Sequence, residues 1–104
     1  RLMGADAGIG GTYGAMPELY LKMDELVNRG EWEKAREVQN LVTPLIYRLC
    51  SFPSMHGAVK GIISLDGCPM GDPRLPFLPV ALDDPKLVEL YHDIRKAVED
   101  TKDL

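Results

Sequence analysis

A lysine amine can condense with a carbonyl to form a Schiff base, and the chain offers six lysines for that chemistry. Lys22, Lys34, Lys86, Lys96 and Lys102 stand among polar neighbours and read as solvated. Lys60, between Val59 and Gly61-Ile62, is the one candidate for partial burial, and a stem laid over apolar surface with its ammonium in water is the simpler reading. Paired carboxylates could serve as acid and base. However, Glu31 and Glu33 open a helix and suit its positive end, Asp83 and Asp84 do the same further on, and Asp24 and Glu25 lie at the end of another helix. Cys50 and Cys68 are far apart with no CxxC spacing, so two free thiols in a reducing, cytoplasmic setting are expected over one disulfide. His56 and His92 are isolated inside helical patterns. No metal-ligand spacing arises, and no metal or cofactor is expected.

The run Gly8-Ile9-Gly10-Gly11 invites a phosphate-loop reading but fails it. Position 13 is Tyr, so there is no GxGxxG, and no GxxxxGK[ST] follows. Two readings remain from the residues: a tight junction where side chains do not fit, or the bare wall of a small-molecule pocket with the Thr12 hydroxyl beside it. Residues 7–10 read as a short buried strand, yet no later segment offers a ladder partner for its N–H and C=O groups. Either the stretch is a loop or its partners lie in sequence outside these 104 residues; the lack of Met at position 1 favours the latter.

The rest of the chain is helical. Pro17 suits a first helical turn, Leu19, Met23, Leu26 and Val27 follow on one side, and Gly30 stops the helix. A second helix from near Glu31 carries the stripe Ala35, Val38, Val42, Leu45, Leu49, with Pro44 expected to kink it and with Trp32 and Tyr47 at core or boundary positions. Ser54 caps a third helix that ends by Gly67, and Asp83/Asp84 with Pro85 opens a fourth with Leu87, Leu90, Tyr91, Ile94 and Val98. The intervening 68–80 stretch holds four prolines and is a connector. Helices two to four should form the stable unit from Glu31 onward. Helix one and the glycine run are expected to join it incompletely, with residues 1–14 disordered or paired with another chain.

The bulk composition excludes several classes. Hydrophobic residues at 45% and charged residues at 27% describe a folding chain, and a net charge of -4 without a basic stripe speaks against nucleic acid. No apolar run reaches membrane-spanning length. Taken alone, these residues specify no reaction.

The string from Gly4 to Tyr13, GADAGIGGTY, resembles the last barrel strand of the dihydrodipicolinate synthase / N-acetylneuraminate lyase family, nearest its sialic acid side. The order of later features also fits: Ala35, Val38 and Gln39 as AxxVQ, Thr43-Pro44-Leu45, the Val59-Lys60 pair, and Arg74-Leu75-Pro76-Phe77 before a closing helix. The resemblance implies an eight-stranded (β/α) barrel. Residues 1–30 would be its last strand and helix, and residues 31–104 a C-terminal helical extension. It implies a lysine Schiff base to pyruvate without a cofactor, in a homo-oligomer acting on a sugar acid or keto acid. The reaction would be cleavage of a sialic acid-like substrate to pyruvate and N-acetylmannosamine, or alternatively a synthase-like condensation. The catalytic lysine, the carboxylate-binding strand and the catalytic tyrosine would all lie upstream, so no catalytic residue is carried onto this chain. Gly10 and Gly11 would face substrate. Gly11 stands where the lyases carry a serine, and Gly14 where they carry Asn, departures that bear on the substrate more than on the reaction class. The reading from a different class is a helical interaction module without chemistry.

Overall fold

The computed structural model describes residues 1–104 and contains four helices in chain order: α1 (Pro17–Asn28), α2 (Trp32–Cys50), α3 (Met55–Leu65) and α4 (Pro85–Thr101). Local chemistry sets their limits. Pro17 occupies the first turn of α1, where its missing N–H leaves nothing unpaired. Gly30 then takes φ +75, a left-handed conformation, and the turn closes with Gly30 N–H donating to Val27 O at 3.0 Å and Glu31 N–H to Leu26 O at 2.9 Å. Ser54 caps α3 by accepting from Gly57 N–H at 3.1 Å, and Asp84 caps α4 by accepting from Lys86 N–H at 2.9 Å. Pro44 is carried inside α2 without ending it. A proline in a helix interior costs about 3 kcal/mol. Val42 and Leu49 beside it are fully buried, and each such side chain contributes about 1.5–3 kcal/mol, enough to offset that cost.

The apolar stripes of all four helices meet in one core. Leu19 and Leu26 of α1, Val38, Val42 and Leu49 of α2, Ile62 of α3, and Leu87, Leu90 and Ile94 of α4 are all essentially inaccessible to water. Helix α1 is therefore a full member of the bundle, which corrects the expectation of a stable unit beginning at Glu31. Its inner face finds partners on α2 and α4 within the chain. Two glycines of α3 make the packing close. A side chain at Gly57 would strike the carbonyl of Leu78 in the connector, and one at Gly61 would lie 2.7 Å from Leu87 Cδ2. Small residues one turn apart thus let the connector and α4 settle on α3. The connector over residues 68–80 is irregular, as its prolines predict.

Polar contacts tie the helix surfaces together. Arg95 of α4 donates to Glu18 of α1 at 2.9 Å and lies 4.0 Å from Asp66, which also accepts from Tyr91 Oη at 2.9 Å. Arg48 of α2 donates to Asp93 of α4 at 2.6 Å. These pairs are more than a third exposed, so each contributes at most about 1 kcal/mol, and the core carries the stability. Trp32 and Tyr47, expected at the core or its boundary, are exposed. Trp32 is the first residue of α2, and Tyr47 projects away from the buried stripe. No helix is long and apolar enough to cross a membrane.

Candidate functional site

Residues 7–10 form no strand, and Ile9 is fully exposed. This corrects the buried-strand reading: no other segment of the chain forms a strand, so the ladder bonds have no partner within it. The segment is nonetheless tied to α1. Arg1 reaches the end of that helix, with Nε donating to Asp24 Oδ1 at 2.5 Å and Nη2 to Asn28 Oδ1 at 2.7 Å, while Nη1 donates to Ala5 O at 2.7 Å. The Arg1 hydrogen bond holds the Asp24 carboxyl below the usual carboxylate range. The segment is therefore tied to α1 at its two ends, through Arg1 and through Thr12 and Tyr13, while residues 2–9 between them are exposed.

At the other end of the segment the glycines are required by a ring. The Tyr13 side chain folds back over the backbone, so a Cβ at Gly8 would lie 2.5 Å from Tyr13 Oη, and one at Gly10 would strike Cε1 and lie 2.7 Å from Cδ1. The Tyr13 amide donates to Gly10 O at 3.2 Å, closing a tight turn. The ring in turn packs on Tyr20 of α1, with centroids 4.2 Å apart and planes inclined at 39°. Thr12 is buried, and its hydroxyl shares a 2.6 Å hydrogen bond with Tyr20 Oη. Burial raises the Tyr20 phenol above its ordinary value, and the Thr12 hydrogen bond only partly counters that. The Thr12 hydroxyl is thus engaged inward and does not line an open wall.

Gly10 is half-buried and Gly11 exposed. A Cβ built on Gly11 meets only the Met55 methyl, at 3.3 Å, and one on Gly14 meets Ile63 Cδ1 at 3.2 Å, so α3, from its first residue to near its end, flanks the glycine segment. Gly10 and Gly11, the residues expected to face substrate, are adjacent along one turn. Tyr13, Tyr20 and Met55 beside them are not among the expected site residues. Tyr20, eight residues beyond Thr12 on α1, had only its type as a signal. Lys60 lies elsewhere, half-buried, near the backbone carbonyls of Met70 and Asp72 at 3.5 and 3.4 Å. An open cleft of about 310 Å³ between α3 and the connector is lined by Gly57, Gly61, Ser64, Asp72 and Val80 among others, and none of its lining residues belongs to the glycine segment. His56 stacks on Phe77 with centroids 4.2 Å apart. Cys50 and Cys68 are free and exposed.

A mostly helical chain whose glycine-rich leader is docked on the first helix therefore offers bare backbone at Gly10-Gly11 and no assembled catalytic set. The profile of the dihydrodipicolinate synthetase family matches residues 1–95, and the chain belongs to that family. It is 39% identical over 104 residues to an N-acetylneuraminate lyase from Mediterraneibacter gnavus, an alignment covering 98% of this chain and 32% of the relative. A 4-hydroxy-tetrahydrodipicolinate synthase from Corynebacterium diphtheriae is 34% identical over 80 residues, covering 77% of this chain and 26% of that protein. Among solved structures, the wild-type sialic acid aldolase of Ruminococcus gnavus superposes with a TM-score of 0.80 at 37% identity, over 99% of this chain and 34% of that one. The chain thus spans about a third of the length of the relatives it matches.

Proposed function

We propose that this chain is the closing portion of a pyruvate-dependent, Schiff-base aldolase or lyase that cleaves a sialic acid to pyruvate and N-acetylmannosamine. The supporting observation is the alignment over nearly the whole chain with an N-acetylneuraminate lyase, together with the ring-packed glycine turn at its start. On this reading residues 1–30 complete the (β/α) barrel and residues 31–104 are its helical extension. In barrels of this kind, strand ends and their following loops build the pocket. Exposed Ile9 would then be covered by neighbouring strands, and exposed Gly11, beside a Gly10 that the Tyr13 ring covers on one side, would present backbone to substrate.

The chemistry needs an amine that becomes an iminium with the substrate's keto carbon, releasing water. That iminium accepts the electron pair as the carbon–carbon bond breaks, leaving an enamine that is protonated and then hydrolysed to pyruvate. None of the six lysines here stands in the glycine segment, so the amine comes from another part of the intact protein. The role of this chain is to shape and close the pocket. Assembly as a homo-oligomer and a cytoplasmic location belong to the same proposal, the latter supported by two free, exposed thiols. A condensation like that of 4-hydroxy-tetrahydrodipicolinate synthase is the second reading, supported by a match that covers less of the chain. The family match leaves little support for a helical module without chemistry. The test is the intact protein with N-acetylneuraminate: pyruvate release supports the lyase reading. Pyruvate consumption with an amino-aldehyde and no cleavage of the sugar acid would favour the synthase.

A further inference from the structure

We infer that Tyr20 is a positioning residue, holding the Gly10-Gly11 turn in its substrate-facing geometry through two contacts: its hydroxyl on Thr12 and its ring under Tyr13. The inference rests on the proposed function for its kinetic meaning, and on the geometry for everything else. Gly10 and Gly11 have no side chains by which to be held, and the Gly10 carbonyl accepts only the weak turn bond from Tyr13 N–H at 3.2 Å. What restrains them is the residue pair that follows. Thr12 is anchored at its hydroxyl, 2.6 Å from Tyr20 Oη, in a buried position where an unpaired hydroxyl would be unfavourable. Tyr13 packs between the glycine backbone on one side and the Tyr20 ring, 4.2 Å away, on the other. Tyr20 itself sits in the first turn of α1, next to the fully buried Leu19 and packed half-buried against the core. The rigid helix thus sets the position of a turn that has no anchor of its own. A pocket wall needs that, because a displacement of about 1 Å at the binding geometry can change rates a hundredfold.

The two contacts are separable by mutation. Tyr20→Phe keeps the ring under Tyr13 and removes the hydroxyl. Thr12→Val removes the partner hydroxyl at nearly constant volume, and Thr12→Ser restores it. In the intact protein, Tyr20→Phe and Thr12→Val should each raise KM for the sugar acid about 3- to 10-fold with kcat within about twofold, the size expected when one hydrogen bond is lost. The double variant should be no worse than either single, since both remove the same bond. Thr12→Ser should return KM to near the wild-type value. In parallel, amide exchange at Tyr13 should quicken in Tyr20→Phe and Thr12→Val and recover in Thr12→Ser. Additive single effects, or a Thr12→Ser variant as impaired as Thr12→Val, would overturn the inference. So would unchanged KM and unchanged exchange in active protein. If the wild-type protein cleaves no sugar acid, the functional reading fails instead. The exchange pattern then decides the clamp by itself: quickened and rescued exchange upholds it, unchanged exchange removes it.

Discussion

Replacing Gly10 and Gly11 by alanine, one at a time, isolates what the Tyr13 ring requires of the backbone. Neither glycine has a positive φ, so alanine is sterically allowed by the chain itself at both positions. Both substitutions therefore gain the same unfolded-state benefit, about 0.4–1 kcal/mol, and it cancels in the comparison. What differs is the neighbour. At Gly11 the new methyl meets only the end of the Met55 side chain at 3.3 Å, which can move aside. At Gly10 it strikes the Tyr13 ring, with Cδ1 at 2.7 Å and Cζ at 2.9 Å. Tyr13 is 36% exposed, so its ring can swing outward and avoid the strain of a packed core. Escape forfeits its packing on Tyr20, a pair contributing about 0.5–1.5 kcal/mol. Gly10→Ala should therefore be less stable than Gly11→Ala by about 1 kcal/mol. In a domain of this size that separates the two melting temperatures by roughly 4–8 °C. Thermal unfolding followed by circular dichroism, with tyrosine fluorescence reporting the ring pair, reads both quantities. Equal melting temperatures with an intact tyrosine signal in Gly10→Ala would refute the claim that the ring excludes a side chain there.

Leu26→Ala should destabilise the chain by about 3 kcal/mol or more in urea unfolding, because Leu26 is fully buried between helices; a loss under about 1 kcal/mol would mean α1 is not part of the core. Tyr20→Phe should remove one of two late-titrating tyrosines from an alkaline absorbance titration, since burial raises Tyr20 and the Asp66 hydrogen bond raises Tyr91. As the neutral phenols are favoured in the folded state, their contribution is intact below the ordinary value of about 10 and fades as pH rises beyond it. At the acid end, Arg1 on Asp24, Lys22 and Arg29 on Glu25, and Lys34 on Glu31 hold three carboxyls below their ordinary range. Their contribution is complete above about pH 4–5 and is lost as pH falls through the lower folded values. Melting temperature should drop there, less steeply with about 0.5 M salt present, and a salt-independent drop would remove these pairs as its cause.

Helix limits were legible because their signals are local. Pro17, Gly30, Ser54 and Asp84 act within one turn, and each does so here in the expected sense. What needed distant partners was not. The strand reading of residues 7–10 followed from residue types, but a strand exists only with a ladder, and nothing in this chain supplies one. The place of α1 in the core depended on the inner face of α2 matching Leu19 and Leu26, which periodicity on one helix does not reveal. Tyr47 is exposed because it lies off the stripe from Ala35 to Leu49, so that stripe, followed strictly, would have put it outside. At the site, the bareness of Gly10 and Gly11 was visible, while its cause was not. Tyr13 covers Gly8 and Gly10 by folding back across a turn, and Tyr20 meets Thr12 only through the turns that precede α1. The pair Gly57 and Gly61 did carry a readable signal, since two glycines one turn apart in a helix imply close packing.

If, as proposed, this chain closes the pocket of a Schiff-base enzyme, the reactive amine lies elsewhere in the intact protein. Borohydride reduction of that protein in the presence of pyruvate, followed by peptide mapping, addresses it directly. One trapped lysine is expected, outside these 104 residues, with Lys22, Lys34, Lys60, Lys86, Lys96 and Lys102 all unmodified. A pyruvate adduct on any of those six, or no adduct at all in protein that turns over substrate, would contradict it.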